Sequence, residues 1–262
     1  MIPSSKLVVA KFVSSYRRHK GVVGILKSCA EEIEDIWFDR RFGVDTLETT
    51  SDRALPAVPF GTRYQPTKIK RLRKIFGELR VSYQDFIFLD VGSGKGRVLL
   101  VASEFPFRRI IGVEFLPELH SIAEKNIRTY RSTTQKCSAV ESLCCDATAY
   151  RLPPGNMIIF LSNPFEHPIV SRLMINVRES LQNHPRQVYL IYHNPVCHNL
   201  IRELDFFQIS RETELYTIYK SKLPATIVDS LRDILADPTR TTLKEQSSDG
   251  NCIRRSSPFN SG

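Results

Sequence analysis

Phe86-Ile87-Phe88-Leu89-Asp90-Val91-Gly92-Ser93-Gly94-Lys95-Gly96-Arg97 is an apolar β-run closed by an acid, then a turn with glycine at every second position. Val98, Leu99, Val101 and Ala102 follow with a helical pattern that Glu104 and Pro106 close. Strand, glycine turn and helix make a nucleotide-binding corner. Glycine lets the backbone approach a ligand with no Cβ in the way and accepts positive φ, and a helix N-terminus offers free N–H groups. The spacing excludes two common occupants. A dinucleotide fingerprint needs its third glycine where Arg97 stands. A P-loop needs Ser or Thr where Gly96 stands and an earlier glycine where Leu89 stands.

Asp90 argues against a pyrophosphate as well, because a carboxylate at the strand end repels phosphate. It suits a ligand that carries an ammonium group, and S-adenosylmethionine (SAM) has an ammonium, a sulfonium and no phosphate. The next apolar run, Arg109 to Glu114, also ends in a carboxylate, at the position from which a second-strand acid accepts both ribose hydroxyls. A third run, Val140 to Cys145, ends at Asp146-Ala147, where an acid can accept from an adenine amino group. Taken singly, Glu114 also has the reading of a solvated loop acid, and Asp146 alone is weak evidence because loop acids are common.

Asp90-Val91-Gly92-Ser93-Gly94-Lys95-Gly96-Arg97, Gly112-Val113-Glu114, Asp146-Ala147 and Asn163-Pro164-Phe165 stand in the order found in class I SAM-dependent methyltransferases, and residues 62–220 resemble that superfamily. Within it the chain resembles a group with an Asn-Pro-Phe motif, distantly similar to the non-SET histone lysine methyltransferases. The resemblance implies an α/β fold: a three-layer, Rossmann-like, mostly parallel seven-stranded sheet with an antiparallel edge strand, here with an N-terminal helical extension. It implies SAM as cofactor, held by Asp90, Gly92, Ser93, Gly94, Gly96, Glu114, Asp146, Ala147 and Asn163. Tyr64 and Thr67 belong to a Tyr-x-Pro-Thr segment that folds over the ligand in the resembling family. The alternative for that segment is a plain helix entry with Thr67 as N-cap.

Methyl transfer is an in-line displacement with a neutral thioether leaving group. The site must therefore position an unprotonated nucleophile and exclude water. Asn163 and Phe165 are the candidate catalytic residues. The Asn163 carbonyl and its neighbours can accept from an amine, and Phe165 can stack on a flat substrate or face a cation. The plain alternative makes Asn163 an N-cap and Phe165 core. His193, at the end of the Tyr192-His193 strand, can act as a base toward a hydroxyl; packing or a hydrogen bond is the commoner role of such a residue. Lys95 is expected to point to solvent.

The expected activity is methylation of an amine, with protein lysine favoured. The alternatives are an RNA, DNA or small-molecule methyltransferase, and a non-catalytic SAM-binding docking module. The acceptor class, whether protein, metabolite or nucleic acid, is not encoded in a readable motif.

The chain has 262 residues and a formal net charge of +9. No acid precedes Glu31, while Lys6, Lys11, Arg17, Arg18, Lys20 and Lys27 do, and a second basic cluster is Lys68, Lys70, Arg71, Arg73 and Lys74. Basic residues 6–27 and 68–74 are candidates for contact with an acidic partner or membrane surface, or are simply solvated faces. None of the six cysteines forms a C-x-x-C pair, so no metal site is expected, and Cys144 and Cys145 read as small core residues. A reducing, cytoplasmic setting fits; the acid-free, basic N-terminus also resembles a mitochondrial presequence. Three parts are expected: a helical extension over 1–61, a SAM-binding domain over 62–222, and a tail over 223–262 with a short helix at 225–235 and disorder after 237. Within them the pattern predicts a helix to residue 20 and helices at 25–38, 68–79, 95–104, 116–130 and 168–182. It predicts strands at 86–91, 109–114, 139–145, 156–162 and 187–193, then two closing strands at 206–210 and 214–220.

Overall fold

The computed structural model describes residues 22–48, 55, 63–162 and 165–222. The expectations for residues 1–21, for Asn163 and Pro164, and for the tail lie outside these. Along the described chain the elements are α1 (Val22–Phe42), α2 (Ile69–Gly77), β1 (Ile87–Val91), α3 (Arg97–Ala102), β2 (Arg109–Glu114), α4 (Pro117–Thr129) and β3 (Val140–Cys144). β4 (Met157–Ser162), α5 (His167–Asn183), β5 (Val188–His193), α6 (His198–Arg202), β6 (Phe207–Glu212) and β7 (Tyr216–Ser221) follow. The helix expected at 25–38 extends at both ends, running through Gly24 and on to Phe42, where Gly43 turns the chain at φ 65°. The short helix α6 was not foreseen.

The strands form one seven-stranded sheet in the order β3-β2-β1-β4-β5-β7-β6. β1 to β5 run parallel, and β7 is antiparallel to both of its neighbours. This is the Rossmann-like methyltransferase sheet with its antiparallel strand. The strand order reverses between β1 and β4, so the switch point, where open α/β sheets bind ligands, lies at the carboxyl ends of those two strands.

Strand alternation sorts the core into two layers. Phe88, Phe160, Ile191 and Ile218 face Phe38 of α1, Ile69, Leu72, Ile75 and Phe76 of α2, and Leu99 of α3. Leu89, Ile111, Ile159, Leu161 and Leu190 face the other way, onto Val170, Leu173, Met174 and Val177 of α5. β4 is buried on both faces from Met157 to Leu161, as its continuous apolar run requires. β3 lies at the sheet edge, and this corrects one expectation: Cys144 is exposed and not core, while Cys145 is half-buried against the α5-side core.

The N-terminal layer is attached by charge. Lys68 pairs with Asp35 (3.0 Å) and Glu32 (3.9 Å), and Arg71 with Glu31 (2.9 Å). Arg73 holds Glu104 through two nitrogens and reaches Glu34 (2.9 Å). The basic cluster of α2 is thus largely matched by acids of α1. Thr67 does not cap α2; the Asp35 carboxylate accepts from the Ile69 N–H instead (3.1 Å).

Gly112, in the middle of β2, leaves the room in which the glycine turn packs. A Cβ there would stand 2.6 Å from Leu99 Cδ1 and 2.7 Å from Ser93 Oγ. Gly112→Ala is expected to destabilise the protein by about 1–3 kcal/mol through overpacking. Gly77→Ala, where a Cβ meets nothing within 4 Å, should be neutral or stabilising by up to about 1 kcal/mol. Urea unfolding of the two variants checks both signs.

Candidate active site

Gly92, Gly94 and Gly96 all take positive φ, at 78°, 54° and 81°. The turn is tied to β2 by Gly92 N–H and Ser93 N–H donating to Val113 O (2.8 and 3.0 Å) and by Gly94 N–H donating to Glu114 Oε2 (2.7 Å). Glu114 Oε1 accepts from Leu116 N–H (2.9 Å). Each Glu114 oxygen therefore holds one backbone N–H and keeps a lone pair for a ligand. Burial pushes the Glu114 carboxyl up, and its N–H bonds oppose the shift.

Asp90 differs. It is buried, its Oδ2 has no hydrogen-bond partner among the described residues, and burial, with the neighbouring charge of Glu114, pushes its pKa well above the usual carboxylate value. A buried carboxylate without a donor costs more than a satisfied one. A cationic ligand at this spot removes that cost.

Tyr64 lies against the turn: a Cβ on Gly94 would stand 2.3 Å from its ring, and its hydroxyl donates to Thr46 O (2.7 Å). Thr67 is buried, with its hydroxyl 2.8 Å from that of Ser162, whose Oγ lies 3.0 Å from His193 Nδ1. Asp90, Ser162 and His193 project from the same sheet face. Phe160 is in register with both Asp90 and Ile191, Ser162 is in register with His193, and alternate residues share a face. Burial, aided by the charge of Arg71, pulls His193 down to about 4, so its ring is neutral at pH 7. The hydrogen-bonded reading of this histidine is the one realised.

Two residues of the turn were misjudged or passed over from sequence. Lys95 is not solvent-facing; it is 1% exposed, and its Nζ meets Asp45 Oδ1 and Leu47 O, both at 3.0 Å. Arg97 is 2% exposed. It donates through Nε to Thr46 Oγ1 (2.8 Å) and pairs with Asp35 (3.2 Å) and Asp39 (3.8 Å). Asp39 in turn accepts from Thr46 N–H (2.7 Å), Thr46 Oγ1 (2.5 Å) and Leu47 N–H (3.0 Å). Asn126 of α4 closes the assembly, donating to Asp45 O and Lys95 O and accepting from Asp45 N–H. None of these partners lies near the turn in sequence. The one local hint was that two cations adjoin an apolar strand.

The remaining candidates lie around this centre. Cys145 N–H donates to Glu114 O (3.0 Å), which brings the segment after β3 to the β2 tip. Asp146 is exposed and turns on Thr148, accepting from its N–H (2.7 Å) and hydroxyl (2.8 Å), while Ala147 is buried. Phe115, which the sequence reading passed over, is 48% exposed next to Glu114. Phe165 is half-buried and packs against the α5-side core; Asn163 lies outside the described residues. Among the described residues no group of three or more His, Cys, Asp or Glu side chains is placed to hold a metal ion.

A family model described as histone methylation protein DOT1 matches residues 61–139. No curated relative matches the chain. Similar solved structures include a putative RNA methyltransferase from Pyrococcus horikoshii (15% identity, 69% of this chain and 94% of that one, TM-score 0.47). Another is a putative methyltransferase from Escherichia coli (18%, 61% and 89%, TM-score 0.45). A third is a ribosomal protein L11 methylase from Lactobacillus delbrueckii subsp. bulgaricus (15%, 60% and 79%, TM-score 0.44).

Arg97→Met leaves Asp35 and Asp39 buried without their cation and is expected to cost about 3–5 kcal/mol of stability. His193 gives a pH signature. Its folded pKa lies below the ordinary 6.5, so the unfolded chain binds the extra proton first and stability is lost as pH falls from about 6.5 to about 4. The loss is at most about 3 kcal/mol, and His193→Gln should flatten the difference in urea-unfolding free energy across that window.

Proposed function

We propose that the chain is a SAM-dependent methyltransferase of class I that acts on an amine, with a protein lysine as the favoured acceptor. The observation that carries this reading is the buried, unpartnered Asp90 Oδ2 beside a three-glycine turn and Glu114. The pair of carboxylates offers a place for a cation and for two hydroxyls, and offers nothing to a phosphate. An amino acid joined to a ribose has both features. In this reading Asp90 takes the ammonium, Glu114 the ribose hydroxyls, and the glycines the close backbone approach. Asp146, Ala147 and the exposed Phe115 border the adenine. When bound, SAM supplies an electrophilic methyl on sulfur with a neutral thioether as leaving group.

The protein's task is then to orient the acceptor, keep water away and leave the nucleophile unprotonated. Tyr64 lies against the turn, and the Thr67 hydroxyl meets that of Ser162 at the carboxyl end of β4. His193, neutral at pH 7 and bonded to Ser162, adds no positive charge that would repel an approaching amine. Phe165 and the carbonyls around Asn163 are the proposed acceptor side. The histone methylation family model that matches residues 61–139 supports a protein amine over a small one. A nucleic-acid acceptor is disfavoured because Lys68, Arg71 and Arg73 already face carboxylates of Asp35, Glu31 and Glu104.

Calorimetric titration with S-adenosylhomocysteine is the test. The parent should bind, and Glu114→Gln and Asp90→Asn should each weaken binding at least about tenfold, or roughly 1.4 kcal/mol. Asp90→Asn should also raise the unfolding free energy at pH 7 by about 1–3 kcal/mol, since the cost of burying an ionisable group without a partner is removed. Absence of binding to folded parent protein would sink the reading. Methyl label from SAM that enters protease-sensitive rather than nuclease-sensitive material would support the lysine acceptor, and the reverse would overturn it.

A further inference from the structure

The two faces of α1 differ sharply in chemistry. Its acids turn inward: Glu31 to Arg71, Glu32 and Asp35 to Lys68, Glu34 to Arg73, and Asp39 to Arg97. The opposite face carries Leu26 (65% exposed), Ile33 (67%) and Trp37 (51%), with Cys29 and Ala30 between them and Arg40 and Arg41 at the end, all exposed. Spacings of seven and four residues put Leu26, Ile33 and Trp37 on one stripe. The Arg41 guanidinium lies 5.1 Å from the Trp37 ring centroid, so the last turn presents an aromatic ring and a cation together.

We propose that this outer face of α1 docks in the plane of an anionic lipid bilayer. An interfacial helix needs an apolar stripe, an aromatic at the boundary and flanking cations, and α1 has all three. Charge selects the lipid. The stripe bears no acid, Arg40 and Arg41 close one end, and Lys6, Lys11, Arg17, Arg18 and Lys20 precede the other with no acid among them. A two-fold contact between copies would set these like charges against each other, because an isologous interface pairs a face with itself. Spanning is not involved: among the described residues no helix is long and apolar enough to cross a membrane. The docking rests on no assumption about the reaction.

Trp37 is the only tryptophan in the chain, so its fluorescence reports this face alone. The full-length protein is mixed with vesicles of phosphatidylcholine, with and without an equal share of phosphatidylglycerol. The expected result is a shift of emission to shorter wavelength and quenching by brominated acyl chains, with the anionic vesicles only, fading as salt is raised. Ile33→Asp, at an exposed position, should weaken vesicle binding at least about tenfold with an unchanged melting temperature. Arg40→Glu with Arg41→Glu should do the same. Co-sedimentation without a Trp37 shift overturns the assignment to α1, and equal binding to neutral vesicles overturns the charge selection. No vesicle binding at all, or a concentration-dependent shift without vesicles that marks a second copy as occupant, also overturns the proposal.

Discussion

A guanidinium that never loses its charge, placed where almost no water reaches it, has to be surrounded by acceptors, and Arg97 is such a group. Two of its counter-charges, Asp35 and Asp39, come from α1, and its Nε reaches Thr46 in the segment that follows. The geometry of the N-terminal layer follows from this. α1 must lie across α2 and the start of α3 with its acids down. Asp39, once there, organises Thr46 and Leu47 through their N–H groups. That segment in turn receives Lys95 and the Tyr64 hydroxyl. The glycine turn is therefore supported from β2 beneath it and held from above by Asp35 and Asp39 of α1, by Asp45, Thr46 and Leu47, and by Tyr64.

Within that frame the two carboxylates at the strand ends have different environments, and the difference is chemically useful. Glu114 is fixed by two N–H donors, each on its own oxygen, so its lone pairs are aimed before any ligand arrives. Asp90 Oδ2 has no donor and is raised in pKa by burial and by Glu114 itself. The first arrangement suits a neutral diol. The second stores a desolvation penalty that a cation relieves, so selectivity for a positively charged ligand comes at the cost of some stability.

The strands, the glycine turn and its acids were legible because each is a short-range pattern: apolar runs of strand length, glycine at fixed offsets, a carboxylate at a strand end. Element bounds moved by at most two residues in the sheet domain. What was not legible depends on partners far away in the chain. Lys95 reads as a surface lysine until Asp45 and Leu47 are placed over it, fifty and forty-eight residues away. Thr67 has the right residue type and position for an N-cap, yet Asp35, from another helix, takes that role and frees the hydroxyl for Ser162. Cys144 and Cys145 end a segment that carries Glu141 and Ser142 and is more polar than the central strands, and the strand order places it at the edge. Asn126 gave no signal, since a polar residue late in an amphipathic helix is ordinarily solvated.

The family model that matches residues 61–139 ends before Ser162 and His193 and begins after Asp35, Asp39, Asp45 and Thr46. The matched span thus holds the turn, its acids, Tyr64, Thr67, Arg97 and Asn126, while the counter-charges of Arg97 and Lys95 lie upstream of it. A cation buried on one side of that boundary and its acids on the other are useless apart, because either alone is an uncompensated buried charge. The N-terminal layer is consequently a working part of this site and not an appendage to it. Asp35, Asp39 and Thr46 are the contacts that join α1 to Arg97, at the end of the glycine turn.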